Sequence, residues 1–152
     1  MTEPGFLKFE TDFVESLRCI PMIVRMKLDT CGVKLKLEHW NQFDRSERQT
    51  LVTMPCDSSG EVANYREYVQ NLVTVKTGKP AKELAIDPLP LWLNTEQLPE
   101  VLKNKAAEHD IKISLSQWSS LTPLQRFALI KLSRPSHENR NFIPALKEFE
   151  LI

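Results

Sequence analysis

Three cysteines, Cys19, Cys31 and Cys56, and three histidines, His39, His109 and His137, are the side chains of this 152-residue chain best suited to nucleophilic, redox or metal chemistry. Cys19 stands beside Arg18 and two residues before Pro21, a residue favoured in the first turn of a helix. A thiol just outside the positive end of a helix is stabilised as thiolate, so Cys19 is a candidate reactive thiol; a small apolar packing residue is the competing reading. Cys31 falls at the opposite end of that helix, beside a Gly32 stop, where the negative pole disfavours a thiolate. Cys56 follows Pro55 in an expected loop, open to solvent. No Cys-x-x-Cys pair exists and no histidine stands at zinc-finger spacing from a cysteine. A shared metal or iron–sulfur site therefore requires the fold to gather all three sulfurs, and free thiols in a reducing cytosol are the simpler expectation.

The densest polar stretch is Arg134-Pro135-Ser136-His137-Glu138-Asn139-Arg140-Asn141. Arg134, His137, Glu138, Asn139 and Arg140 offer a recognition surface for a partner protein or an anionic ligand, against the alternative of a solvated loop ahead of the last helix. From Arg18 to Lys36 five basic residues face Asp29 alone, either a basic face for an acidic partner or a solvated helix side. A Gly-rich phosphate loop, a nucleophile elbow and His-Glu-x-x-His are all missing from the sequence. The residues supply no positive sign of an enzyme, and the enzyme question stays open.

The elements that must hold these residues form two similar runs. At an offset of 78 positions, Ile20-Pro21 meets Leu98-Pro99, Trp40 meets Trp118, Arg48 meets Arg126 and Leu51-Val52 meets Leu129-Ile130. Val33, Leu35 and Leu37 meet Ile111, Ile113 and Leu115 in the same register. The match of Pro, Trp and Arg together with the apolar pattern reads as a tandem repeat. Each copy predicts a helix opening at its Pro, a stop at Gly32 or Asp110, and an extended hook of alternating residues. A Trp-bearing turn follows, then a helix near 45–54 or 123–133, opened by the capping boxes Asp44/Glu47 and Thr122/Gln125. A further helix is expected near 61–73 and 140–149, and an initial one near 11–18.

The predicted fold is thus mainly α: a single domain over 1–152, with repeat 1 at about 13–73, a Pro-rich strap at 74–97 and repeat 2 at about 98–149. Leu89, Leu91, Trp92 and Leu93 are expected to pack in the strap, and Phe6, Phe9 and Phe13 at the start, giving one compact body. The two tryptophans at matched positions, Trp40 and Trp118, are expected as core anchors. Arg48 and Arg126 are either buried hydrogen-bonding groups or surface charges.

Twenty basic and twenty acidic residues cancel, at a pI of about 6.8. Nucleic-acid binders usually carry a basic surplus, so nucleic acid is not an expected partner. The longest apolar run, Cys19 to Val24, is far short of the roughly 20 residues of a membrane span. Met1-Thr2-Glu3-Pro4-Gly5 does not read as the start of a signal peptide. A soluble, cytoplasmic protein is the expectation.

Several strings are long enough to compare with known families. Phe13-Val14-Glu15-Ser16-Leu17-Arg18-Cys19-Ile20-Pro21 and Lys27-Leu28-Asp29-Thr30-Cys31-Gly32 lie in the first half. Leu121-Thr122-Pro123-Leu124-Gln125-Arg126-Phe127-Ala128-Leu129 and the ending Arg134 to Asn139 and Leu146 to Phe149 lie in the second. Together they resemble the nitrate reductase-associated protein family, best known from cyanobacteria, whose genes lie near those for nitrate reductase and molybdopterin synthesis. The resemblance implies an accessory role for assimilatory nitrate reductase, as a maturation or stabilising factor that binds the enzyme. It implies no cofactor for this chain: molybdopterin and the iron–sulfur cluster belong to the reductase. A cysteine-based redox or metal carrier for the same enzyme is the alternative reading, and an enzyme acting on a small molecule a third. No catalytic residue is carried over.

Overall fold

Helices account for most of the chain and are assigned here from a computed structural model that describes residues 6–10, 20–134 and 139–152. The expectation of an initial helix near 11–18 lies outside those residues. Two compact units divide the chain, Met1–Asp87 and Pro88–Ile152.

In the first unit α1 spans Met22–Cys31 and follows Pro21, whose side chain has nothing to offer as a cap. The cap comes from far away in sequence. Glu10, buried at the end of a 3-10 turn (Lys8–Glu10), accepts the Met22 N–H through Oε2 at 3.0 Å and the Leu7 N–H through Oε1 at 3.3 Å. A carboxylate at this end also complements the helix dipole. At the other end Gly32 takes φ +80° and donates its N–H to Leu28 O at 2.8 Å. Its lack of a side chain matters twice, since a Cβ would lie 2.8 Å from Ile86 Cγ1 and 2.9 Å from Leu84 O.

The alternating hook becomes β1, Val33–Lys34, which pairs antiparallel with β2, Lys82–Glu83, in the register Val33↔Glu83 and Lys34↔Lys82. Short α2 (Leu37–Asn41) carries Trp40, and α3 (Arg45–Thr53) opens on the Asp44/Glu47 box, both of whose bonds are 2.8 Å. Helix α4 runs over Ser59–Thr77, with Ser58/Glu61 as its box, and ends at Gly78 with φ +92°. It is longer than the predicted 61–73, and the strap therefore does not begin at Thr74. The prolines expected to break the helix lie beyond Gly78, and nothing before that residue breaks it. Gln70 then clasps the returning chain, its amide bonded to Ala81 N–H at 2.8 Å and Ala81 O at 3.0 Å.

The second unit opens on a 3-10 turn, Leu91–Leu93, followed by α5 (Glu100–Glu108), α6 (Leu115–Ser119), α7 (Pro123–Ser133), a 3-10 turn (Asn139–Asn141) and α8 (Phe142–Glu148). Asp110, at φ +57°, turns the chain after α5, where Gly32 does so after α1. Residues Ile111 to Ser114 form no strand ladder, so this hook lacks the pairing seen at Val33–Lys34. Helix α7 is the centre of the unit. It buries Arg126, Phe127, Ala128, Leu129, Ile130, Leu132 and Ser133, nearly its whole circumference, as expected of a helix packed on all sides. The starts of α5, α6 and α7 each lie 78 positions after those of α1, α2 and α3.

The two matched tryptophans, Trp40 and Trp118, are core residues, as expected, and each lies under its arginine. Arg48 Cζ sits 5.5 Å from the centroid of the Trp40 ring, and Arg126 Cζ 5.9 Å from that of Trp118. Both guanidinium groups are buried and hydrogen-bonded to backbone, which decides between the two readings of these arginines. Arg48 Nε donates to Trp40 O at 3.1 Å; Arg126 Nε donates to Trp92 O at 2.6 Å and its Nη1 to Leu121 O at 2.5 Å. The same residue types thus brace different segments.

Candidate interaction surface

Arg126 is also what shapes the surface of the second unit. By holding Trp92 O it draws the strap onto α7, where the Trp92 ring meets Phe127 edge-on at 5.0 Å. Two residues further on, Asn94 O accepts the indole N–H of Trp118 at 2.8 Å, while Asn94 Oδ1 accepts the Glu96 N–H at 2.9 Å. These bonds fix residues 92–96 in one path. Pro90 is buried and Trp92 half-buried, and the leucines between and around them point outward. Leu89 is 85% exposed, Leu91 45% and Leu93 56%. The expectation that these leucines pack is therefore corrected for all three. The backbone anchors choose Trp92 for the inside, and a chain held at Trp92 and Asn94 cannot turn its neighbours inward as well.

Below Leu91 lies a groove of about 400 Å³ lined by Leu91, Asn94, Gln97, Leu98, Pro99, Glu100, Val101 and Arg134. Its walls are mainly apolar, with two charged side chains. Glu100 Oε1 meets Lys103 Nζ at 3.6 Å. The Arg134 side chain is exposed and makes no hydrogen bond or ion pair among the described residues. Of the polar stretch singled out in the sequence, Arg134 thus reaches a concave surface. Arg140 is exposed on the 3-10 turn that Asn139 begins, while His137 and Glu138 lie outside the described residues.

The thiols sit elsewhere, in the core of the first unit. Cys31 and Cys56 are both buried free cysteines, with Sγ atoms 3.7 Å from Leu28 O and Lys27 O respectively. Burial pushes Cys31 up to about 11. Burial, and then the neighbouring Cys31, push Cys56 up to about 12, against the opposing charge of Lys27. Both are neutral thiols near pH 7. The exposed loop expected at Cys56 is corrected: it is a loop, but one folded onto α1. Cys19 lies outside the described residues, and no group of three or more His, Cys, Asp or Glu side chains that could hold a metal ion occurs among the described ones.

Lys27, counted from sequence into a basic face, points inward instead. Its Nζ donates to Val52 O and Met54 O, both at 2.7 Å, and lies 5.8 Å from the Tyr65 ring centroid. Burial lowers its pKa. The basic run is therefore not one continuous face.

The sequence reading missed the lining residues Leu98, Pro99, Glu100 and Val101, although the dense Pro88-Leu89-Pro90-Leu91-Trp92-Leu93 run next to them signalled an unusual segment. No helix among the described residues is long and apolar enough to cross a membrane. A family model described as conserved nitrate reductase-associated protein matches residues 6–149. No curated protein and no solved structure matches the chain.

Proposed function

The chain belongs to the conserved nitrate reductase-associated protein family, and from that membership we propose that it binds nitrate reductase in the cytoplasm during the enzyme's maturation or stabilisation. The family's name ties it to that enzyme. The observation that supports binding is the ridge of Leu89, Leu91 and Leu93, held outward on a strap anchored through Arg126 and Trp118. Burying a leucine is worth roughly 1.5–3 kcal/mol, so three held in solvent on a rigid path leave a favourable contact to be made. A preorganised surface also loses little conformational freedom on binding. The molybdopterin and iron–sulfur cluster remain the reductase's own in this reading.

The alternative of a thiol carrier gains nothing from Cys31 and Cys56, because a neutral, buried thiol is a poor nucleophile and a poor metal ligand. The test is a deletion strain, with the reductase assayed for activity and for molybdenum and iron content, together with co-purification on the tagged protein. Reductase with full metal content and activity in the deletion strain, and absent from the tagged preparation, refutes the proposal.

A further inference from the structure

We propose that the groove beside the strap takes a short apolar segment of the reductase that carries a carboxylate, the carboxylate pairing with Arg134; this rests on the reading that the protein binds the reductase. The groove's charge points to that occupant. Of its two charged side chains, Glu100 is already engaged by Lys103 at 3.6 Å, whereas the Arg134 guanidinium has no bond or ion pair among the described residues. Among the described residues the uncompensated charge of the groove is therefore positive. A planar guanidinium presents two parallel N–H donors that match a carboxylate.

The rest of the lining chooses the kind of molecule. Leu91, Leu98, Pro99 and Val101 offer an apolar wall, and Leu89 and Leu93 extend it outward along the strap. A phosphate-rich polymer gains nothing from leucines and needs more than one cation. A peptide with apolar side chains on either side of an acidic one satisfies both the wall and the arginine. The volume of about 400 Å³ lies at the lower end of ligand sites, which run from about 300 to 1,000 Å³. The wall cannot close on itself, because Trp92 O and Asn94 O are held by Arg126 and Trp118. The site is thus open and ready without rearrangement.

The experiment uses the full-length protein, its Arg134→Glu, Arg134→Lys and Leu91→Ser/Leu93→Ser variants, and immobilised reductase, with overlapping 15-residue reductase peptides as separate probes. All three substituted side chains, Arg134, Leu91 and Leu93, are exposed, and circular dichroism checks that each variant is folded. Wild type is expected to capture the reductase and a small set of peptides containing leucine, isoleucine or phenylalanine near Asp or Glu. Replacing that acid by its amide should weaken peptide binding at least tenfold. Arg134→Glu should weaken reductase capture by a similar factor, Arg134→Lys by less, and the double serine variant by at least tenfold.

Capture of the reductase by wild type and all variants alike overturns the groove while leaving the binding reading intact. Failure of wild type to bind the reductase removes both. Sedimentation of wild type as a dimer that Leu91→Ser/Leu93→Ser dissociates would overturn the proposal in favour of a second copy in the groove.

Discussion

Arg48 and Arg126 occupy matched positions yet should contribute unequally. Arg126 donates to two backbone carbonyls, Trp92 O at 2.6 Å and Leu121 O, whereas Arg48 Nε donates to Trp40 O at 3.1 Å. A hydrogen bond from a charged donor contributes about 1.5–3 kcal/mol net, and each arginine adds a similar contact with its tryptophan ring. Arg126→Met should therefore cost about 3 kcal/mol or more, and Arg48→Met about half of that. With a urea dependence of about 1–3 kcal/mol per molar, the two midpoints should differ by about 0.5–1.5 M. Methionine roughly keeps the length of the side chain, so the comparison isolates the guanidinium. Hydrogen exchange supplies the local readout. Leu93 and Asn94 donate their N–H groups to Pro90 O and Leu91 O inside the strap. Those amides should exchange faster in Arg126→Met and stay unchanged in Arg48→Met. Equal midpoints, or a strap whose exchange ignores Arg126→Met, would refute the assignment of Arg126 as the strap's anchor.

Gly32→Ala should destabilise by about 2 kcal/mol or more, since left-handed backbone costs an L-residue roughly 1–2 kcal/mol before the contact with Leu84 O is counted; thermal melting of the pair of proteins measures it. Glu10→Ala, which strips the cap from α1, should cost about 1–3 kcal/mol and speed exchange of the Met22 amide. The thiols give a pH prediction. Cys31 and Cys56 are raised from 9.0 to about 11 and about 12, so the unfolded chain loses these protons first. Their contribution is fully present below pH 9 and declines as pH rises through 11–12, by at most about 1.4 kcal/mol per pH unit for each thiol. Tyr65, raised by burial, acts in the same direction, and Lys27, lowered by burial, in the opposite one. The measurement is therefore the difference between wild type and Cys31→Ala/Cys56→Ala, whose urea midpoints should converge between pH 9 and 11 as wild type loses its advantage. In a Cys19→Ser background at pH 8, the folded protein should leave Ellman's reagent unreacted until denaturant is added.

Much of the local grammar was readable before any fold was known. Asp44 with Glu47 and Thr122 with Gln125 start helices because both partners of each bond lie three residues apart. Ser114 with Gln117 does the same for α6. In the matched turn of the first unit Lys36 has no acceptor to offer, so only the reverse bond forms, from Lys36 N–H to His39 Nδ1 at 3.1 Å. Gly32 ends α1 for a reason equally local, the freedom of its backbone. The site was less readable. Arg134 could be picked out as a polar residue, but the leucines of the strap were assigned to packing, because apolar character alone does not say which side of a segment faces in.

The mainly helical architecture, the capping boxes of α3, α4, α6 and α7 and the Gly32 stop were determined by sequence, since each depends on residues a few positions apart or on a period within one helix, whereas the cap of α1 comes from Glu10, twelve residues away. Tertiary structure alone decided the chemistry of the candidates picked out at the start. The Cys56 loop folds against α1, so its thiol is buried and neutral. Lys27 turns inward to carbonyls 25 and 27 residues away. Arg126 reaches 34 residues back to Trp92 and so turns Leu91 and Leu93 outward. Burial and long-range hydrogen bonds set these outcomes, and neither is a property of neighbouring residues.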